Sequence, residues 1–600
     1  MRDPKEFDAV DENCNLCLLW YYITLLGVDP RTEFVSRRNY SRNYVLTFKG
    51  FAMQTLANWL SRYFPVVIPF FNRLIINFFA SSTVPRPHRF SLWSPSRPTT
   101  PAPERIPVTT SRVSLSNNPI SAPPCYTSWP SLFDRTFTAR HLPTRSDTCS
   151  AVLPPEADVM RLFERTGPMT PNPRSSLLFC FFAQWFTDSF LRTHPFDPRR
   201  TTSNHEIDMC QIYGLDEPST WALRSGVGGR LKSRTSNGYE YPAFLWKDGE
   251  IDRDFYDPEH EIGLTYLRAG RKQSWVDAVE VSLKGATTDP ARRDWFYASG
   301  LDRGGSTIAY SAFNTIFLRE HNRIAGVLAK AQPKWDDDRL FETARLVNIR
   351  QVLGIVVNDY IRHIGGSFPF ALDRSFAEGK RWYRTNRVSI EFNLLYRWHS
   401  LVPDEFSLSG SVLENNQFRY NNALLEKCGV EQLLTDASSQ RAGRVGLHNT
   451  PIFLIDPAEK HSLKMSRDFA LQPFNAYRDH FGLKPYGTID EFADNPDVAE
   501  DIKRLYKGDM NAVELTVGLF GEKRGENDCM PETIVAMVAY DAFTHILTNP
   551  VLSTQVHCPQ TFSDAGWDII QQNAGLEEVV KRNCDPKKKV LVSLSAPDLN

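Results

Sequence analysis

The sequence predicts a mainly α-helical protein with one large domain, preceded by an amphipathic N-terminal region. Beyond about residue 173, apolar residues recur with helical spacing over long segments, whereas alternating strand patterns are few. The chain has 600 residues, enough for one large hydrophobic core with appended segments. Apolar residues make up 42% of the chain and charged residues 23%, which excludes global disorder and a polytopic membrane protein.

The balance of charged residues limits the classes of molecule that the protein could bind. The chain carries 69 Lys and Arg residues against 70 Asp and Glu residues, a net charge of −1. This balance excludes binding to a polyanion by bulk charge, and we expect no nucleic-acid partner.

Residues 1–84 form the amphipathic N-terminal region. Its first apolar run, Asn13 to Val28, is shorter than the roughly 20 residues that a membrane-spanning helix needs. Acidic residues dominate before that run, which is unlike a signal sequence. The ten cysteines are scattered and suggest no disulfide framework. We therefore expect an intracellular protein, either cytoplasmic or peripherally bound to a membrane.

A second apolar stretch in this region, Phe51 to Ala80, is rich in aromatic residues and is interrupted by Arg62 and Arg73. Short helices with an apolar face and scattered arginines suit the headgroup boundary of a bilayer. The alternative is that the stretch packs against the rest of its own chain.

Residues 85–173 hold 17 of the 40 prolines together with many Ser and Thr residues. Because proline removes a backbone donor and restricts the preceding residue, this composition predicts an extended arm with turns, without helices, packed on the body.

Residues 174–600 form the helical body. Alternating strand patterns are few, with short candidates near Tyr239 to Trp246. The segments with helical periodicity are Ser175 to Leu191, Ser311 to Ala331, Asp337 to His363, Val388 to His399, Asn421 to Leu434, Val498 to Tyr506 and Pro531 to Leu547.

Two pairs of polar residues occur in strongly apolar segments. Tyr396 and His399 are three residues apart, so a helix would place them on one face. Gln184 and Asp188 are four apart and would also share a face. Either pair could belong to an ordinary core, bonded internally or to a neighbouring helix. The alternative is that they face a bound cofactor: an imidazole can ligate iron, and a nearby phenol can be oxidised to a radical.

Seven stretches in order, over roughly Tyr126 to Cys584, resemble the animal-type haem peroxidase superfamily, in its cyclooxygenase-like and fatty-acid dioxygenase branch. The stretches are FFAQWFTDSF, IFLREHNRIAGVL, WDDDRLFETARLVNI, IVVNDYIRHIGG, EFNLLYRWHSLVPDEF, LQPFNAYRDHFGLKPY and ILTNPVLS. The RWHS motif is also similar to that of linoleate diol synthases and plant α-dioxygenases.

The resemblance implies a single helical haem-peroxidase domain that encloses haem b. In that family His399 matches the proximal iron ligand, Tyr396 the tyrosine that becomes a radical, and Gln184 the distal glutamine. The implied reaction takes a hydrogen atom from an unsaturated fatty acid and adds O₂ to give a hydroperoxide, after activation by a hydroperoxide. Residues that match the acyl channel of the family are Ile361, Phe392, Leu395 and Ala542.

The sequence departs from cyclooxygenases at several matched positions. Asp188 replaces the distal histidine, and Ala542 replaces a serine of the channel. Ser367 replaces the tyrosine that holds the substrate carboxylate at the channel mouth. These differences favour simple hydroperoxide formation on linoleate or a similar acid over prostaglandin synthesis. They also predict slow peroxidase turnover, because a carboxylate cannot donate a proton as an imidazole does.

Two other functions stay open from the sequence. One is a haem peroxidase that oxidises small reductants with peroxide. The other is a non-catalytic helical protein that binds lipid or membrane. A homodimer is also left open.

Overall fold

The computed structural model describes residues 68–82, 135–142, 145, 153–194, 198–257, 262–265, 290–366, 368–383, 387–525 and 528–597. The chain divides into two compact units, Met1–Met53 and Gln54–Asn600, and the first lies wholly outside the described residues. The apolar run Asn13 to Val28 and the matched position Ser367 also lie outside them.

The described part of the chain is mainly helical, as predicted. Its α-helices are α1 Ile68–Ser82, α2 Glu156–Phe163, α3 Leu177–Thr187, α4 Cys210–Tyr213, α5 Glu217–Leu223, α6 Ile308–Ala331, α7 Asp337–Ile355, α8 Arg362–Ile364, α9 Ile390–Leu395, α10 Asn415–Phe418, α11 Asn422–Cys428, α12 Val430–Ser438, α13 Ile452–Leu454, α14 Lys460–Asp468, α15 Phe474–His480, α16 Ile489–Phe492, α17 Pro496–Tyr506, α18 Leu515–Gly521, α19 Glu532–Leu547, α20 Pro559–Gln571 and α21 Leu576–Arg582.

Wider π-helical turns, Val356–Ile361 and Ile455–Glu459, connect α7 to α8 and α13 to α14. Tighter 3₁₀ turns occur at Pro290–Trp295, His399–Leu401, Met510–Ala512 and Pro550–Leu552.

Short antiparallel pairs make up the strand content of the described residues. The pairs are β1 with β10, β2 with β3, β4 with β5, β6 with β7, and β8 with β9. The strands are β1 Pro171–Ser176, β2 Ser233–Ser236, β3 Tyr239–Pro242, β4 Trp246–Lys247, β5 Glu250–Ile251, β6 Tyr256–Asp257, β7 Ile262–Gly263, β8 Glu405–Leu408, β9 Ser411–Glu414 and β10 Arg441–Gly443.

Side-chain caps set the starts of the central helices. The side chains of Ser176, Thr307 and Asp336 accept hydrogen bonds from backbone amides in the first turns of α3, α6 and α7. Ser389 caps α9 in the same way. Each cap satisfies an amide that the helix itself leaves unpaired.

Aromatic packing holds α3 in the centre of the body. Every residue of α3 is buried except Gln184 and Thr187. The Trp185 ring stacks on Phe317 of α6 with centroids 4.6 Å apart, and its indole nitrogen donates to Asn314 at 2.9 Å. α3 therefore presents polar groups at few positions, and Gln184 is one of them.

The helix predicted over Val388 to His399 is shorter than expected. α9 ends at Leu395, and His399 begins a separate 3₁₀ turn. The prediction that Tyr396 and His399 share a helix face is therefore wrong. The backbone of Trp398, at φ −81° and ψ 49°, lies outside the α-helical region, so the helix cannot continue to His399. The helical spacing of apolar residues in the sequence extends beyond the actual end of the helix.

The arm predicted without helices also needs correction, because α2 lies within it. Pro154 and Pro155 directly precede this helix, where a missing backbone amide costs nothing. Val159, Met160, Leu162 and Phe163 are all buried. The apolar face of a short helix thus outweighs the proline content around it.

α1 packs on its own body. Its residues Ile76 and Ala80 are buried, and the Phe79 ring lies 5.4 Å from that of Tyr540 on α19. On the same helix Phe70 and Leu74 are 45% and 37% exposed. None of the helices in the described ranges has the length and hydropathy needed to cross a bilayer.

Gly443 allows β10 to lie against the turn that carries His399. A Cβ atom at Gly443 would lie 2.0 Å from the backbone oxygen of Ser400. We expect Gly443→Ala to lower the free energy of unfolding by about 1–3 kcal/mol, because the turn must shift to admit the methyl group. Urea denaturation followed by tryptophan fluorescence measures this change.

The matched control is Gly326→Ala in α6, where an added Cβ meets nothing within 4 Å. Here stability should stay the same or rise by up to about 1 kcal/mol, since alanine favours a helix interior. Equal effects of the two substitutions would contradict the packing argument.

Candidate functional site

The candidate site is built around the turn that follows α9. Tyr396 is the first residue after the helix, and Trp398 and His399 follow it. The Trp398 ring stacks on the Tyr396 ring with centroids 4.5 Å apart at 28°. Trp398 also stacks on Phe179 of α3, at 6.1 Å. The turn is therefore fixed to the central helix through aromatic contacts.

His399 lies beside a buried carboxylate. Its Nδ1 atom is 3.1 Å from Oε1 of Glu459, whose side chain is 2% exposed, in a close contact that lacks hydrogen-bond geometry. The Thr450 hydroxyl donates to the same carboxylate oxygen at 3.2 Å. A histidine with one ring nitrogen beside a carboxylate and the other directed elsewhere is typical of metal ligation. Nε2 is the nitrogen left to bind a metal.

Tyr396 lies in an aromatic environment. Its ring centroid is 5.0 Å from that of Phe392 and 6.5 Å from that of Phe190. Burial raises the pKa of Tyr396, the hydroxyl of Tyr360 opposes that shift, and the charge of Asp541 adds to it. The phenol thus keeps its proton at neutral pH, as a donor of a hydrogen atom must.

Gln184 and Asp188, predicted to face the same way, both bond to the segment that leads into α6. Gln184 donates to the Ser306 hydroxyl at 3.1 Å and accepts from the Thr307 hydroxyl at 3.2 Å. Asp188 follows the last residue of α3 and accepts from the Tyr310 hydroxyl at 3.0 Å.

Arg303 completes the surroundings of Asp188. Its guanidinium lies 3.0 Å from Oδ1 of Asp188, and this carboxylate is the main cause of the raised pKa of Arg303. A carboxylate at the C-terminal end of a helix is disfavoured by the helix dipole, so the arginine offsets that cost. Both carboxylate oxygens of Asp188 are therefore engaged.

Arg397 connects the two sides of the site electrostatically. Burial and the charge of Arg303 lower the pKa of Arg397 to about 10, whereas Glu459 and Asp188 raise it. Arg397 is thus close enough to interact electrostatically with both Glu459, beside His399, and Asp188, at the end of α3. Its Nε atom is buried and has no hydrogen-bond partner among the described residues. A buried N–H group of this kind needs a hydrogen-bond acceptor.

The four residues assigned to an acyl channel are all buried: Ile361 is 5% exposed, Phe392 1%, Leu395 0% and Ala542 7%. Leu395 directly precedes Tyr396, and Ile361 follows Tyr360. Ala542 lies on α19, which packs against α9. The structure thus brings these positions to the surroundings of Tyr396, while their role in a channel stays a prediction.

Sequence reasoning missed Glu459, Arg303, Tyr310 and Tyr360. Tyr360 lies in a π-helical turn of the long helix from α7 to α8, a feature that often occurs at functional sites. Tyr360 lies three residues before His363 in the stretch IVVNDYIRHIGG, so the sequence already placed it in a segment that resembles the family. Glu459 gave no signal, because it is distant from His399 in sequence.

A family model described as animal haem peroxidase matches residues 197–593. The chain belongs to the animal haem peroxidase family. It is 30% identical over 506 residues to prostaglandin G/H synthase 2 of Equus caballus, covering 80% of this chain and 77% of that protein. It is 31% identical over 487 residues to prostaglandin G/H synthase 2 of Bos taurus, covering 77% and 74%.

Solved structures share the fold. Peroxidase A from Dictyostelium discoideum has a TM-score of 0.60 at 19% identity, covering 77% of this chain and 95% of that one. The fatty acid alpha-dioxygenase of Oryza sativa has a TM-score of 0.58 at 15% identity, covering 75% and 81%. The chain is therefore an oxidoreductase of the animal haem peroxidase family, and membership implies haem binding.

The residues present fit a haem. His399 offers one nitrogen to iron while the other lies beside Glu459. The unpaired Nε of Arg397 suits the carboxylate of a haem propionate. Within the described ranges, no group of three or more His, Cys, Asp or Glu side chains is placed to hold a metal ion. A haem iron needs only one such protein ligand.

Glu459→Ala should lower the affinity for haem about 10- to 100-fold, because His399 loses the carboxylate that orients its ring. Titration of the apoprotein with haem, followed at the Soret band, measures the affinity. Glu405→Ala is the matched control, since Glu405 is exposed on β8. Unchanged affinity in Glu459→Ala would show that the contact with His399 has no role in holding haem.

Proposed function

We propose that this protein is a haem b-dependent fatty-acid dioxygenase that takes a hydrogen atom from an unsaturated fatty acid through a radical on Tyr396. The observation that carries the proposal is the joint placement of Tyr396 and His399. A half-buried, protonated phenol stacks on Trp398, near a histidine that lies beside the carboxylate of Glu459. The homologous prostaglandin G/H synthases support an oxygenase.

The residues of the chain would divide the work as follows. His399 would hold the iron through Nε2, and Arg397 would bind a propionate. When bound, haem supplies the oxidising equivalent that it draws from a hydroperoxide activator. Tyr396 gives up its phenolic hydrogen atom and regains one from a carbon of the acyl chain. O₂ adds to the resulting carbon radical, and the peroxyl radical takes a hydrogen atom from the phenol of Tyr396, which gives the hydroperoxide and restores the radical on Tyr396.

The aromatic and aliphatic side chains around Tyr396 protect these radicals. Phe392 and Leu395 are buried next to it and carry no polar group. An apolar wall excludes water and fixes which carbon of the chain lies near the phenol.

Asp188 makes a small-reductant peroxidase the weaker candidate. Its two oxygens are bound to Arg303 and Tyr310, so accepting a proton from peroxide requires that the ion pair with Arg303 weaken. We therefore propose slow peroxidase turnover with hydrogen peroxide. The presence of both Tyr396 and His399 disfavours the non-catalytic alternative.

The test is oxygen uptake by haem-loaded protein with linoleate and a trace of hydroperoxide. Tyr396→Phe should abolish uptake but keep the peroxidase activity, because only the phenol carries the radical to the lipid. His399→Ala should remove both activities and weaken haem binding. Tyr383→Phe, at a half-buried position, is the control and should leave both activities unchanged. Equal oxygen uptake by Tyr396→Phe and the unmodified protein would rule out the radical mechanism.

We also propose that the protein is intracellular and contacts a membrane peripherally through α1. Phe70 and Leu74 are exposed one helical turn apart, while the opposite side of α1 packs on α19. An exposed apolar pair on a packed helix suits shallow insertion into a bilayer. A homodimer stays a prediction.

Replacing both Phe70 and Leu74 with serine should reduce binding to phosphatidylcholine and phosphatidylserine vesicles, because the apolar area available for insertion is lost. Co-sedimentation with vesicles measures the bound fraction. Val412→Ser is the control, since Val412 is 58% exposed on β9. If the variant with serine at both Phe70 and Leu74 bound vesicles as well as the Val412→Ser control, membrane contact through α1 would be refuted.

A further inference from the structure

A buried polar cluster lies on α19, next to the proposed channel. Asp541 and His545 are 0% and 3% exposed, and they stand four residues apart on one side of this largely apolar helix. Ala542, assigned above to the channel, follows Asp541 directly. Buried polar side chains need partners, so the bonds of this pair indicate what the cluster lacks.

Only one of the two carboxylate oxygens of Asp541 has hydrogen-bond partners among the described residues. Its Oδ2 atom lies 2.8 Å from Nε2 of His141 and accepts from the Ser389 hydroxyl at 3.1 Å. Its Oδ1 atom is buried and has no hydrogen-bond partner among the described residues. One carboxylate oxygen is thus left as a buried acceptor.

His545 likewise has a hydrogen-bond partner for only one of its two ring nitrogens among the described residues. One ring nitrogen hydrogen-bonds the backbone of His205, while Nε2 is buried without a partner in the described part of the chain. Burial lowers the pKa of His545 to about 4, so its ring is neutral at physiological pH. A neutral ring that donates through one nitrogen accepts through the other, which makes Nε2 a second buried acceptor.

The cluster lies one aromatic side chain away from Tyr396. The Phe392 ring centroid is 5.7 Å from that of His545 and 5.0 Å from that of Tyr396. The charge of Asp541 also acts on Tyr396. An acyl chain that passes Tyr396 along Phe392 would therefore come close to both unpaired acceptors.

The chemistry of the cluster selects its ligand. Two unpaired acceptors require a hydrogen-bond donor, and a second buried carboxylate, Glu391, also has one oxygen without a partner among the described residues. A fatty-acid carboxylate has no proton to donate. An alcohol group is neutral and donates its single O–H to one of the two acceptors at a time.

We propose that Asp541 Oδ1 and His545 Nε2 form a subsite for a hydroxyl group on the acyl chain, so that the substrate class is a hydroxylated long-chain fatty acid. This inference rests on the proposed function, since the channel beside Tyr396 belongs to it. The hydroxyl would fix the position of the chain along Phe392 and so help to choose the carbon that faces Tyr396.

The test compares the binding of stearate with that of positional isomers of hydroxystearate, by isothermal titration calorimetry on the haem-loaded protein. One isomer should bind about tenfold more tightly than stearate, the gain expected from one buried hydrogen bond to an otherwise unpaired acceptor. In His545→Phe this preference should become weaker, because one of the two acceptors is lost, while the aromatic contact with Phe392 is kept. Asp541→Asn is the second variant, since it preserves shape and alters only one acceptor group.

His557→Phe is the matched control. His557 is also buried, has an unpaired ring nitrogen among the described residues, and packs on Trp567 at 5.1 Å, away from Phe392. This variant should keep the preference for the hydroxylated isomer.

Three outcomes would overturn the proposal. Equal binding of stearate and every isomer would show that the acceptors bind only water, and the proposed function would stand. A preference that persists in both His545→Phe and Asp541→Asn would place the hydroxyl elsewhere. Failure of stearate and all isomers to bind a haem-loaded, folded protein would overturn the subsite, whereas the proposed function is tested separately by oxygen uptake with linoleate.

Discussion

The site depends on the end of one short helix. α9 ends at Leu395, and the chain then turns through Tyr396, Trp398 and His399 before it reaches Leu401. Had the helix continued, Tyr396 and His399 would project from one face as neighbours. Because it stops, the two side chains are placed by separate contacts: Tyr396 by the aromatic rings of Phe392 and Trp398, and His399 by Glu459. The glycine at 443 gives the turn the space that it occupies.

Buried charge is the second constraint. Arg397, Asp188 and Glu459 are all buried or nearly so, and an isolated charge in such a place is costly. Asp188 is balanced by Arg303, while Glu459 lies beside His399 and Thr450. Arg397 keeps one unpaired nitrogen among the described residues, so the balance of the protein alone is incomplete there. A carboxylate from a bound haem would complete it, which agrees with membership in the haem peroxidase family.

The fold and half of the site could be predicted from the sequence. Long periodic segments gave the helical body, and ordered motifs gave the family, because both are written in contiguous residues. Two kinds of feature could not be obtained in this way. The end of α9 depends on tertiary contacts that outweigh apolar spacing, and α2 forms among prolines because its apolar face is buried. Contacts such as those of Glu459 and Arg303 join positions distant in sequence, so no local pattern announces them.

The polarity around Tyr396 differs from one side to the other. Phe392, Phe190 and Trp398 surround the phenol with rings, and beyond Phe392 lie Asp541 and His545 with unpaired acceptors. An apolar wall alone would let an acyl chain slide, because dispersion contacts vary little with a shift of one methylene group. A hydrogen bond is directional and fixes one position. Under the proposed mechanism, unpaired acceptors at the edge of the apolar wall would supply what the wall lacks, namely a fixed position of the acyl chain relative to Tyr396.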